Sequence, residues 1–282
     1  MELDAFSNIA KKYRVIFLDS YGVLRNHRGL IPGVAACVTR LRKEGKYLRV
    51  LTNNAARSPQ AAAARYAHYG LMGIAPEEII TSGATTKHFL ENKIGSGKVA
   101  YLGTTESAEY IIGAGLEPIP ISEVDFSNLS ELRAVAFLDD EGYDLNTDIN
   151  RVINLLRQCQ IPVVVANTDQ LYPVSANDVA LATGGIARLA EYVLNRRFVK
   201  FGKPATQMFQ LAYDSVATEF PEISHKDVLM VGDTLHTDIL GGNTFGIATA
   251  LVLSGNTLRD RVATNIAASG IIPDYICSTI GS

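Results

Sequence analysis

The sequence predicts an α/β fold on a mostly parallel sheet, with a middle segment inserted into a core made from both ends of the chain. Three observations predict it. Short apolar runs rich in β-branched residues alternate with helix-like segments along nearly the whole chain, the rhythm of βαβ units. Several of those runs stop at acidic or hydrogen-bonding residues. Turn-rich spots at residues 95–97 and 195–200 set off a stretch with strand runs of its own. At 282 residues and 30.5 kDa the chain is long for one domain, so residues 1–94 and 199–282 are assigned to the core and 95–198 to the insertion.

The first run, VIFL at 15–18, is apolar without alternation and reads as a strand buried on both faces. Asp19 falls at its carboxyl end, where open α/β sheets bind ligands, and Gly22 lets the chain turn at once. An aspartate there equally suits the cap of the next element. The next run, LRVL at 48–51, ends in Thr52, Asn53 and Asn54, a hydroxyl and two amides that donate hydrogen bonds without adding charge, as a phosphate pocket needs. Asn-rich turns are also ordinary loop chemistry. A helix follows with Ser58 as cap, Pro59 at its first position and Gly70 at its end, and its role reads as structural. The runs EEIITS, KVAYLG, AVAFLD and PVVVAN supply further strands. In FGKP, Lys203 sits between a glycine that permits close approach and a proline, placed to neutralise an anion as a point charge, although most lysines are solvated. In DVLMVGDTLHTDIL a strand ends at Asp233, and Asp238 follows at the start of a helix. Two carboxylates so placed suit Mg²⁺, which takes oxygen ligands and keeps several waters, although a turn residue and a helix-start charge favoured by the macrodipole are the alternative. ATALVLS adds the last strand.

Composition excludes several functions. A net charge of −3 and no Lys/Arg block leave no footprint for nucleic acid. Cys37, Cys159 and Cys277 are odd in number and outside any CxxC spacing, which argues against disulfides and zinc. The N-terminal MELDAFSNIAKKYR lacks the pattern of a signal peptide, and no run approaches membrane-spanning length, so the expectation is a cytoplasmic protein without a membrane partner.

Taken together, DSYGVL at 19–24, TNN at 52–54, GKP at 202–204 and GDTLHTD at 232–238 resemble the four motifs of the haloacid dehalogenase superfamily, in particular its class IIA phosphatases. The resemblance implies a Rossmann-like core with an inserted α/β cap of the C2 type. It also implies that Asp19 attacks phosphorus to form an aspartyl-phosphate, that Lys203 steadies Asp19 and the phosphate, and that Ser20, Thr52, Asn53 and Asn54 line the phosphate site. Mg²⁺ would be held by Asp19, the main-chain oxygen of Tyr21 and Asp233, with Asp238 on the metal or its waters. In the cap, LDDEGYD at 138–144 and ANTDQLYP at 166–173 resemble segments that face the substrate, with Gly184 and Gly185 on a nearby loop. Tyr172 is the residue nominated there for substrate discrimination; a core aromatic is the alternative. The expected partner is a small phosphorylated metabolite, and a homodimer through the cap is a further expectation.

The departure from that pattern is Tyr21, which stands where family phosphatases carry an acid/base aspartate. A phenol with a pKa of about 10 is a poor base at neutral pH, and general acid–base assistance is worth about 10² to 10⁴ in rate. Three functions therefore stand: a phosphatase slowed by Tyr21, a phosphometabolite-binding or sensing protein, and a 2-haloacid dehalogenase. Dehalogenases share a tyrosine at this point but use no metal, which the pair Asp233 and Asp238 opposes.

Overall fold

The computed structural model describes residues 3–175 and 178–281, and the chain forms two compact units. The first comprises Met1–Thr52, Pro59–Ile80 and Lys203–Ser282; the second comprises Asn53–Ser58 and Thr81–Gly202.

The first unit is built on a sheet ordered Tyr275–Cys277, Ala248–Val252, Val228–Gly232, Val15–Leu18, Tyr47–Thr52, Ile79–Thr81. Val15–Leu18 lies centrally, parallel to both neighbours, with Val15 opposite Val228 and Tyr47. All four of its residues are buried, as a continuous apolar run requires when both faces are covered. Ile16 and Leu18 pack on one side with Val38, Leu41 and Leu229, while Val15 and Phe17 pack on the other with Phe209, Ala212 and Met230. The two-sided core fixes the height at which each strand ends, and those ends carry the polar residues.

The second unit has its own parallel sheet, ordered Val199–Lys200, Val163–Val165, Leu132–Phe137, Lys98–Leu102, Glu117–Pro120. A two-stranded hairpin pairs Leu171–Pro173 with Val179–Leu181. The Rossmann-like core and additional α/β unit agree with the fold class expected from the sequence.

The division of the chain differs from the expected boundaries at 95 and 198. Residues 81–94 pack with the second unit: Leu90 is buried among Val99, Tyr101 and Ile111, the Phe89 and Phe201 rings lie 5.2 Å apart, and Thr81 Oγ1 is 2.8 Å from Tyr110 Oη. Gly95 and Gly97 do turn the chain, with φ of 76° and 110°, but the turn lies inside the unit. Gly184 and Gly185, expected on a loop, sit in the first turn of the helix Thr183–Leu194, where side chains would collide with the backbone of Thr168, Asp169 and Gln170. They permit close packing there.

Candidate active site

Asp19 leaves the central strand at its carboxyl end, and its N–H bonds Val231 O at 2.9 Å, which holds it level with the neighbouring strand that ends in Gly232 and Asp233. Gly22 N donates to Arg25 O at 2.7 Å and closes the turn. Gly22 has φ of +83°, and any side chain on it would overlap Asp233. Glycine is therefore demanded twice, by backbone angle and by the carboxylate beside it.

Asp233 follows its strand directly. Its Oδ1 accepts from Thr234 Oγ1 at 2.9 Å and its Oδ2 from Asn256 N at 2.6 Å, while Thr257 Oγ1 donates to its carbonyl at 2.6 Å. Asp238 lies on a π-type turn, Leu235–Ile239, and accepts from Thr234 N at 3.1 Å through Oδ2. Lys203 is buried and places its ammonium 2.5 Å from Asp19 Oδ1, 2.7 Å from Asp238 Oδ1 and 3.0 Å from Leu51 O. Thr52, buried, ends the adjacent strand. The structure thus brings Asp19, Lys203, Asp233 and Asp238 together, as the sequence leads one to expect.

Electrostatics decide what this cluster can hold. Burial raises the Asp19 carboxyl well above the ordinary range; Lys203 opposes that, and Asp238 and Asp233 add to it. Burial likewise pushes Asp233 up to about 7, with Asp238 adding to the shift. Burial works against the Lys203 charge, but Asp19 and Asp238 outweigh it and the ammonium keeps its proton. Three buried carboxylates with ligand oxygens within 4.8 Å of one another thus share one cation. An all-oxygen set with negative charge to spare fits a hard divalent cation such as Mg²⁺.

Tyr21 is half-buried. Burial raises its phenol pKa, against the His27 backbone N–H that donates to it and the Arg25 charge, so the hydroxyl keeps its proton at neutral pH. Ser20 is buried, and its Oγ accepts from Tyr66 Oη at 2.7 Å. Tyr66 lies on the helix Pro59–His68, expected to be purely structural, and is the residue sequence reasoning missed. A single tyrosine on the buried face of an alanine-rich helix was the available signal.

Asn53, Asn54 and Tyr172 belong to the second unit. Asn53 Nδ2 donates to Asp169 Oδ1 at 2.9 Å and Thr168 Oγ1 at 3.1 Å. Tyr172 is half-buried on the hairpin rather than in a core; burial, and then the hydrogen bond it gives Asp140, push its phenol up to about 12.

A parallel sheet whose strand ends gather a lysine and three acids defines an α/β enzyme with a charged, buried centre. Residues 16–117 match the family described as haloacid dehalogenase-like hydrolase, and residues 200–282 match the HAD-hydrolase-like family. A solved structure described as a possible sugar phosphatase of the HAD superfamily, from Cytophaga hutchinsonii, is 46% identical with a TM-score of 0.96, covering 100% of this chain and 99% of that one. Glycerol-3-phosphate phosphatase of Gallus gallus is 29% identical over 94% of this chain and 89% of its own, and chronophin of Bos taurus 26% identical over 98% and 94%. The chain belongs to the haloacid dehalogenase superfamily of hydrolases.

Proposed function

We propose that the protein is a Mg²⁺-dependent phosphatase of a small phosphorylated metabolite, acting through an aspartyl-phosphate on Asp19. The observation that carries this reading is the contact of Lys203 with both Asp19 and Asp238 beside Asp233, in a cluster with too few cations for its acids. The names of the Gallus gallus relative and of the Cytophaga structure support the substrate class. Asp19, the Tyr21 carbonyl and Asp233 would hold Mg²⁺, with Asp238 on the metal or its waters; when bound, the ion neutralises charge on the phosphoryl oxygens.

In this reading an Asp19 carboxylate oxygen forms a bond to phosphorus as the ester oxygen departs with its electron pair. Water then attacks the aspartyl-phosphate, releasing inorganic phosphate and restoring Asp19. Lys203 favours the ionised form of Asp19 against burial and the neighbouring acids, and faces the phosphate as a fixed charge. Ser20, Thr52, Asn53 and Asn54 are the phosphate donors, and Tyr172 selects the substrate. Tyr21 stands in place of an aspartate that would protonate the departing ester oxygen in the first step and activate water in the second. A phenol of raised pKa does both poorly, so leaving groups that need no proton are favoured and hydrolysis of the aspartyl-phosphate is slow. That same tyrosine supports the second reading, a phosphometabolite-binding protein with little turnover.

Two lesser expectations belong to the proposal. The free cysteines fit a reducing, cytoplasmic setting, and among the described residues no helix is long and apolar enough to cross a membrane. Exposed Leu189, Tyr192 and Val193 on the helix Thr183–Leu194 support dimerisation through the second unit, which sedimentation of Tyr192→Glu against the parent tests.

The test of function is phosphate release from p-nitrophenyl phosphate and glycerol 3-phosphate, with and without Mg²⁺. Release that requires Mg²⁺ and disappears in Asp19→Asn is expected. Tyr21→Asp should raise kcat/KM for the alkyl ester more than for the aryl ester, by about tenfold or more. Binding of both esters with no release by the parent would select the sensing protein; halide release from 2-haloacids without Mg²⁺ would select the dehalogenase.

A further inference from the structure

Directly after the Asp19 turn the chain forms a tight hairpin, Arg25–Asn26 against Gly29–Leu30. Its first residue is tied to the turn from both sides: Arg25 N donates to Ser20 O at 3.1 Å, and Arg25 O accepts from Gly22 N at 2.7 Å. The position of Arg25 relative to Asp19 is therefore set by backbone.

The Arg25 guanidinium carbon lies 5.5 Å from the centroid of the Tyr21 ring. Stacking of this kind holds a guanidinium in place while leaving its N–H fork available. The same charge acts on the Tyr66 hydroxyl, which bonds Ser20, the neighbour of Asp19. Arg25 is half-buried, yet among the described residues it has no carboxylate partner. Arg42 and Arg49 of the same unit, by contrast, converge on Glu78. Exposed His27 and Arg28 follow on the hairpin, also without ion pairs among the described residues. A basic hairpin without acids thus stands next to an acidic cluster. A guanidinium withdrawn partly from water and held by a ring has strong donors and, among the described residues, no carboxylate to receive them, a state that an incoming anion relieves.

We propose that Arg25 is a specificity-determining residue that binds a second anionic group of the substrate, so that the preferred substrates are phosphomonoesters carrying a carboxylate or another phosphate, ahead of neutral polyol phosphates. This rests on the phosphatase reading of the Asp19 cluster and narrows its substrate class. Tyr21 then has a positioning role as the platform for Arg25.

The experiment measures initial rates of phosphate release, with Mg²⁺ present, from phosphoglycolate and from 1,3-propanediol bisphosphate, each against glycerol 3-phosphate. The parent should prefer an anionic tail, the carboxylate and bisphosphate arms distinguishing which. In Arg25→Gln the ratio of kcat/KM for the anionic-tail ester over glycerol 3-phosphate should fall by about tenfold to a hundredfold, and Arg25→Lys should recover part of it. A ratio unchanged in Arg25→Gln, or a parent that prefers glycerol 3-phosphate, overturns the proposal. Failure of the phosphatase reading shows itself separately, as no phosphate from any ester. In that event calorimetry with phosphonoacetate and methylphosphonate decides: tighter binding of phosphonoacetate that Arg25→Gln removes supports the assignment, and equal binding, or binding of neither, overturns it.

Discussion

At the first unit's sheet, Asp19, Asp233 and Asp238 bring ligand oxygens within 4.8 Å of one another and share the ammonium of Lys203. At the second unit's sheet, Asp139 also follows a strand end, at Leu132–Phe137, and is also buried. It accepts from Asp140 N at 2.9 Å and lies 3.4 Å from Thr104 Oγ1, with no lysine or arginine in ion-pair contact among the described residues. Burial, aided by Asp140 and Glu141, pushes its carboxyl up to about 6. The two sites meet the cost of a buried acid differently. Burial raises the acids of both sites, but Asp139 meets it with hydrogen bonds alone, whereas the first cluster also holds a fixed cation that favours the charged form of Asp19. An acid kept ionised can act as a nucleophile or a metal ligand; an acid that takes up a proton is a neutral donor.

The comparison is broken most severely by removing the fixed cation. Lys203→Met removes the group that lowers the Asp19 carboxyl and should raise it further, and phosphate release from p-nitrophenyl phosphate should fall by about 10² to 10³ in folded protein. Initial rates, with circular dichroism as the folding control, check this. Asp233→Asn keeps the lysine and removes one acid, so Mg²⁺ affinity measured by calorimetry should weaken by at least about tenfold. Equal affinity in mutant and parent would mean that the trio is no metal site.

A smaller effect sharpens the second site. The folded-state pKa of Asp139 lies above the unfolded value, so its contribution to stability is full below about pH 4 and is lost as pH rises through about 6. Urea unfolding between pH 4 and 7 should show a decline in the parent that Asp139→Asn flattens, on the order of 2 kcal/mol. Smallest is Tyr66→Phe, which removes the 2.7 Å hydrogen bond to Ser20 Oγ and should cost about 1 kcal/mol in the same assay at pH 7. No change there would leave Tyr66 as packing alone.

Much of the first site was legible because each signal is local. An apolar run that stops at an acid or amide marks a strand end, and Asp19, Thr52 and Asp233 all sit where such runs stop in the structure. Tyr66 was not legible, since nothing in PQAAAARYAH indicates that its hydroxyl finds an oxygen 46 residues away. The unit boundary was misplaced for a related reason. Gly95 and Gly97 mark a turn correctly, but a turn becomes a boundary only when the flanking elements pack apart, and Leu90 packs with Val99. Gly184 and Gly185 mislead in the same way, because glycine marks either mobility or close approach.

By itself the sequence determined the α/β rhythm and the residue types at the strand ends, because periodicity and chain punctuation act over a few neighbouring residues. Tertiary structure alone decided that Lys203 bridges Asp19 and Asp238, that Tyr66 reaches Ser20, and that Arg25 stacks on Tyr21 while Arg42 pairs with Glu78. Those contacts depend on where the sheet's two-sided core sets each strand end, and burial there strengthens charge interactions that water would screen.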